Sequence, residues 1–178
     1  MGHKHTKEEL LEGALTAALD DGLSQLTFGR LAKRLGISDR IVVYYFPTKG
    51  DLISEVVVAM GQQLQEALAP AFSTPAAGHR EMIRRAWPVL ATTEHDRVFA
   101  LFFEANGLAA VGREPYATLV PTLVDAWISW AAELIDGTPG QRQAEAEAAI
   151  TLIDGLLLLR QLAGPQAANR AARTIGVG

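Results

Sequence analysis

The chain has 178 residues, enough for one domain or two small ones, and with 49% hydrophobic but only 7% aromatic residues its core must be built mainly from Leu, Ala, Val and Ile. The absence of cysteine excludes disulfides, thiolate metal sites and thiol catalysis. A formal net charge of −4 argues against a general nucleic-acid coat; with no apolar run of about 18 residues and no N-terminal signal region, the expectation is a cytoplasmic protein with no membrane partner.

The first predicted helix covers residues 6–21. Thr6 and Glu9 have the Thr-x-x-Glu spacing of a capping box, and Leu10, Leu11, Ala14, Ala17, Ala18 and Leu19 supply an apolar stripe. Asp20, Asp21 and Gly22 end it, and Leu23, Leu26 and Phe28 are expected to plug a small core. His3 and His5 read as part of a frayed tail rather than as a ligand pair, so no metal is expected.

Residues 27–50, TFGRLAKRLGISDRIVVYYFPTKG, are the most informative stretch. Thr27 can cap a short helix, because its side-chain oxygen accepts from orphan first-turn N–H groups. Leu31, Ala32 and Leu35 share one face of that helix, and Gly36 suits its left-handed end. Ser38 can cap a second helix, with Asp39 at its positive end. Pro47 stops that helix by pushing Phe46 out of the α region. VVYYF is strand-like in composition but too short and too tightly flanked. Two capped helices across a Gly-containing turn have the layout of a helix-turn-helix, whose second helix enters the DNA major groove.

Charge agrees with that reading. Arg30, Lys33, Arg34, Arg40 and Lys49 face only Asp39 in this stretch, a local net of +4, and all four lysines (Lys4, Lys7, Lys33, Lys49) fall within the first 49 residues. Concentrated positive charge in an acidic chain suggests a phosphate-facing surface; charge alone is equally compatible with a solvated helix pair. On the second helix Val42 and Phe46 should face the core, which exposes Asp39, Arg40, Val43 and Tyr44, with Ile41 at the border. Arg40 can make a bidentate contact to guanine, Val43 can touch a thymine methyl, and Tyr44 can pack or hydrogen-bond. Thr27, Arg30, Ser38, Tyr45 and Lys49 complete the candidate DNA-binding set, with Thr27, Tyr45 and Lys49 as candidates for phosphates, which position without reading sequence. The bland reading of Val43 is a cap on the small core.

TFGRLAKRLGIS followed by YYFPTKGDLI closely resembles the N-terminal DNA-binding domain of the TetR (tetracycline-repressor) family of bacterial regulators. The resemblance covers roughly residues 8–55, and YFPTK followed by an acidic residue and Leu52 is its most specific part. It implies that Thr27 matches the family's first-helix cap, Tyr44 its base-region aromatic, Tyr45 its phosphate-contacting aromatic or histidine, and Lys49 its phosphate lysine. The chain departs where the family often has Gly-Thr-Leu-Tyr: Arg40-Ile41-Val42-Val43 stands there, without the usual tyrosine at the position of Val43.

A long helix is expected from near Lys49 to about Ala69, with Leu52, Ile53, Val56, Val57, Met60, Leu64 and Leu68 inward. At 1.5 Å per residue it spans about 30 Å, and in the family the corresponding helix joins the two domains. The segment 70–78, PAFSTPAAG, reads as a loop. Helical patterns follow at about 79–93, 96–111, 115–136, 140–163 and 165–175, with Pro88 and Pro121 expected to kink or break two of them and Pro115 in a first turn. The expected architecture is all-α, about nine helices. A three-helix DNA-binding domain (1–50) precedes a larger helical domain for effector binding and dimerisation (51–178).

In that larger part Trp87, Phe99, Phe102, Phe103, Tyr116, Trp127 and Trp130 are candidates to line a ligand pocket, with Glu104 and Asn106 to orient the ligand; aromatics at helical spacing are equally a core. The segment 140–175 is apolar on more than one face and must be buried on more than one side. Its match in the family is the dimer-forming helix pair, which makes Ile150, Ile153, Leu156, Leu157, Arg160, Ala168 and Ala172 the candidate dimer interface; a core helix within one chain is the alternative.

A double-stranded DNA operator, a second copy of the chain and a small-molecule effector are therefore the expected partners, with no cofactor. The leading expectation is a repressor released from a palindromic operator by a small hydrophobic ligand; a regulator answering a partner protein is compatible with the same sequence. The competing class is an all-α enzyme or carrier, for which Glu94-His95-Asp96 is the best acid–base candidate. No nucleophile motif, Gly-rich phosphate loop or metal spacing accompanies it, so catalysis is not expected.

Overall fold

A computed structural model describes residues 5–178; His3 and Lys4 lie outside them. The described residues form nine α-helices and two short 3₁₀ turns, with no strand. The helices are α1 (Lys7–Asp21), α2 (Phe28–Leu35), α3 (Asp39–Tyr45), α4 (Lys49–Leu68), α5 (His79–Leu90), α6 (Thr93–Ala110), α7 (Tyr116–Glu133), α8 (Pro139–Ala163) and α9 (Pro165–Thr174); the 3₁₀ turns are Leu23–Gln25 and Ala69–Phe72.

Helix boundaries fall where local chemistry puts them. Thr6 and Glu9 form the reciprocal capping box at the head of α1, and Thr138 with Gln141 forms another at α8, where Pro139 occupies the first turn. α8 ends at Gly164 and Pro165 starts α9 at once. Glu145 of α8 accepts from the backbone N–H of His79 (2.7 Å) and contacts its Nδ1 (2.6 Å), so a side chain from another helix caps α5. Those contacts hold the Glu145 carboxyl below its ordinary range.

Two expectations change, and one holds. α5 and α7 are helical through Pro88 and Pro121, so neither proline breaks its helix. Pro115 lies one residue before α7 rather than inside it. VVYYF lies in α3 and its C-cap, because Val42 and Phe46, four apart, are both fully buried, and helical spacing puts both on one face.

The contacts divide the chain into two compact units. One comprises the residues up to Gln62 together with Leu101–Val120, and the other Gln63–Ala100 with Pro121–Gly178. In the first, α2 packs on α1 and α3, and Leu10, Ala14, Leu23, Leu31, Val42, Phe46, Leu52 and Val56 have no exposed surface. Each such Leu, Val or Phe contributes roughly 1.5–3 kcal/mol by burial. Leu26 is buried beside them, whereas Phe28 is only half-buried. In the second unit α8 packs against α5 and α9, around Ile83, Ala86, Ala149, Leu157, Ala168 and Ala172. An isolated bridge pairs Ala76 with Ile135. All seven inward positions expected of α4 are buried.

Candidate nucleic-acid interface

The short helices of the first unit are set by their ends. Thr27 accepts from Arg30 N–H (3.3 Å) and fixes the start of α2. Gly36 closes it at φ 67° and ψ 30°, and Ile37 N–H reaches back to Ala32 O at 3.0 Å. This left-handed closure favours glycine and turns the chain sharply into α3. Ser38 stands at the N-cap of α3, but its hydroxyl makes no capping bond; the carbonyl serves instead, accepting from Ile41 N–H at 3.0 Å. After Phe46 and Pro47, Thr48 and Asp51 cap α4 reciprocally: Asp51 N–H donates to Thr48 Oγ1 (3.1 Å) and Thr48 N–H to Asp51 Oδ2 (2.9 Å). The sequence PTKGD thus combines a helix stop with a helix start. The Thr-x-x-Asp spacing was the available signal for Thr48, which the sequence reading did not single out.

These ends leave one face of α3 to solvent. Val42 and Phe46 point inward, while Asp39, Arg40, Val43 and Tyr44 are exposed, Val43 at 43% and Tyr44 at 78%. Ile41 is half-buried. Arg40 and Lys49 have no hydrogen-bond or ion-pair partner among the described residues, so both cationic heads are available to a ligand. Arg30 is exposed but engaged, donating to Gln25 Oε1 at 2.6 Å. Tyr45 is half-buried and donates its hydroxyl to His5 O (2.8 Å), while its ring meets Tyr44 edge-on at 4.9 Å. Lys7 lies 5.7 Å above the Phe46 ring and pairs with Glu55 at 2.5 Å, so the segment entering α1 is held beside the end of α3. On the outer side of α2, Arg30, Lys33 and Arg34 line an open cleft of about 510 Å³ with Ala17, Asp21, Gln25 and Leu26, and Arg34 pairs with Asp20.

The ligand-pocket candidates are divided between the two units. Phe102, Phe103, Glu104, Asn106 and Tyr116 belong to the first, and Trp87, Phe99, Trp127 and Trp130 to the second. Trp87 is buried and donates its indole N–H to Asn169 Oδ1 (3.2 Å), tying α5 to α9. Phe99 is buried, and Phe102 and Phe103 are half-buried, edge-on at 5.4 Å. Trp127 and Trp130 are half-buried and meet edge-on at 5.2 Å. Glu104 accepts backbone hydrogen bonds from Leu23 and Ser24, each at 2.9 Å. Tyr116 is buried; burial first, and the Glu104 charge second, push its phenol up to about 12. Neither its hydroxyl nor Asn106 Oδ1 finds a partner among the described residues.

The candidate dimer residues are packed inside the chain itself. Ile153, Leu156, Leu157, Arg160, Ala168 and Ala172 are buried, with Ile150 half-buried. The Arg160 guanidinium grips the Asp96 carboxylate (2.6 and 3.0 Å), and Gln161 donates to Asp96 O (2.7 Å). Ala168 and Ala172 have no exposed surface, and Leu157, Leu156, Arg160 and Ile153 keep little, so these side chains leave only a small area for a second copy. The face of α8 left to solvent carries Thr151, Leu152, Gly155, Leu158 and Leu162. Two of the three acid–base candidates are likewise engaged: Asp96 holds Arg160, and His95 Nδ1 lies 2.9 Å from both Val89 O and Thr92 Oγ1, while Glu94 is exposed. Among the described residues no cluster of three His, Cys, Asp or Glu could hold a metal, and no helix is long and apolar enough to cross a membrane.

Three short helices, with an exposed and partly apolar face on the third, Arg40 near its start and Lys49 at the head of α4, have the layout of a helix-turn-helix. Residues 10–56 match the sequence model of the bacterial regulatory proteins, tetR family. No curated protein matches the chain. Solved structures match over nearly its whole length. A TetR-family transcriptional regulator from Rhodococcus sp. superposes with a TM-score of 0.74 at 16% identity, covering 97% of this chain and 98% of that one. A transcriptional regulator from Rhodococcus sp. Rha1 gives 0.73 at 19% identity over 94% and 91%, and a TetR transcriptional regulator from Legionella pneumophila 0.66 at 21% over 98% and 97%. Residues 10–56 thus carry the sequence pattern of the bacterial regulatory proteins, tetR family, and the chain as a whole shares the fold of these solved structures.

Proposed function

We propose that the chain is a non-enzymatic, homodimeric repressor that reads a palindromic operator and leaves it when a small, mainly hydrophobic ligand binds. The observation that carries this reading is the solvent face of α3, where Arg40, Val43 and Tyr44 stand exposed, Tyr44 meeting only the Tyr45 ring edge-on. Arg40 contacts a guanine edge in two places, and Val43 and Tyr44 make the apolar contacts that thymine methyls reward. Asp39 and Ile41 border the read bases. Thr27, Arg30, Ser38 and Lys49 lie along the phosphates. Tyr45 contributes by holding the segment before α1 through His5 O rather than by offering its hydroxyl to DNA.

DNA reading belongs to residues 1–50, and effector binding with dimerisation to 51–178. Dimerisation uses the open face of α8, where Gly155 meets no neighbouring atom and Leu152, Leu158 and Leu162 are exposed. Two copies present two α3 helices to successive half-sites, which accounts for a palindrome. The half-buried Trp127 and Trp130 are the best-placed aromatics in the second unit to meet an apolar ligand. Such a ligand favours a conformation in which the two α3 helices no longer match the half-site spacing. The protein acts in the cytoplasm, where its operator is.

Selection of genomic fragments by the purified protein, followed by retardation at fixed salt, tests the reading. Specific dissociation constants on the order of 10⁻⁸ to 10⁻¹¹ M are expected for a selected site. Fragments bound no more tightly than random DNA would refute it.

A further inference from the structure

Glu104 makes the least anticipated contact of the first unit. Its Oε2 accepts from Leu23 N–H and its Oε1 from Ser24 N–H, both at 2.9 Å, across 81 and 80 residues of sequence. Those N–H groups open the 3₁₀ turn Leu23–Gln25 between α1 and α2, and no side chain of the turn itself caps it. An ionised carboxylate only accepts, and two charge-assisted bonds to adjacent amides fix both its place and its direction. Gly22, just before, has φ 91°, a conformation that L side chains avoid, and a Cβ there would lie 3.1 Å from Oε2. Leu23 and Leu26 are buried, so the turn is anchored below and gripped above.

We propose that Glu104 is a positioning residue for operator binding. It clamps the α1–α2 turn, so that α6 sets the orientation of α2 and, across Gly36, of α3. The inference rests on the operator-binding reading above.

The test compares full-length wild type with Glu104→Gln and Glu104→Ala. Hydrogen exchange is followed over residues 22–26, and retardation is measured on a fragment selected by the wild type, at a temperature where all three are folded. Exchange at Leu23 and Ser24 should accelerate by about tenfold or more in Glu104→Ala and by less in Glu104→Gln, which keeps one acceptor. Operator affinity should fall in the same order, by about tenfold for the alanine variant, with an unchanged salt slope because no phosphate contact is lost. A residue that only stabilises the head would lower the melting temperature and leave the affinity of the folded protein alone. That outcome, or unaltered exchange at the turn, overturns the proposal. If Glu104→Ala fails to fold, Glu104→Gln carries the comparison. A wild type that retards no fragment removes the operator reading and this one together; wild-type binding matched by both variants removes only this one.

Discussion

Side chains of the same charge are suited to different tasks. Arg40 and Lys49 are both exposed and both free of partners, but a guanidinium can grip a base edge in two places and an ammonium cannot. Arg40→Ala is expected to flatten discrimination at one base position, a loss of about 1–3 kcal/mol there, whereas Lys49→Ala should weaken all sequences alike and reduce the salt slope by about one. Retardation of operator variants across a salt series separates the two; equal effects of both mutants on every variant would refute the assignment. Asp154, on α8, has its carboxyl raised to about 6 by burial, from 3.8. The folded chain then holds that proton more tightly than the unfolded chain. Its stabilising effect is complete below about pH 4 and is lost as pH rises through about 6. Asp154→Asn should therefore be more stable than wild type by roughly 1–3 kcal/mol at pH 7 and nearly equal near pH 4. Urea unfolding at both pH values checks this, and a difference that ignores pH contradicts it. The caps of Thr6 and Thr27 and the left-handed Gly36 were legible because each acts within a few residues. Glu104 was not, since its partners are some 80 residues away.

Among the helices, α8 shows most clearly what periodicity can and cannot say. Leu156, Leu157, Leu158 and Leu159 are consecutive, so they sweep about 300° around the helix axis and the pattern does not specify which side faces inward. Packing against α5 and α9 turns Leu156 and Leu157 inward and leaves Leu158 at 41% exposure. Leu158→Arg or Gly155→Arg should give a folded monomer by sedimentation velocity, with helicity unchanged, because both positions face open space. Leu157→Arg should instead destabilise the chain itself, by about 4 kcal/mol or more, since an unpaired charge would be enclosed. A dimer persisting in Leu158→Arg and Gly155→Arg would place the interface elsewhere. Arg160 shows the same limit. The resemblance placed it in the candidate interface, and within the fold its guanidinium holds Asp96.

For the molecule as a whole, the decisive question is whether a small molecule controls it. A ligand that binds only the native state raises unfolding free energy by about 2.7 kcal/mol at a hundred times its Kd. For a chain of this size that is a shift of roughly 5–10 °C. Screening hydrophobic metabolites and drugs by thermal shift should find a compound that both stabilises the protein and weakens operator retardation. Stabilising compounds that leave retardation intact would contradict release by ligand, and a panel with no stabilising compound would favour a partner protein as the signal.

By itself the sequence determined the all-helical class, the helix-turn-helix of residues 27–50 and the inward face of α4. These depend on capping spacing, a glycine turn and 3.6-residue periodicity, which act over a turn or two of chain. Tertiary structure alone decided that Glu104 grips Leu23 and Ser24, that Tyr45 turns its hydroxyl to His5, and which face of α8 stays open. Each of those outcomes depends on which surfaces meet across many tens of residues. An apolar or charged side chain has several partners of similar chemistry to choose among there, and only packing and hydrogen-bond geometry select one.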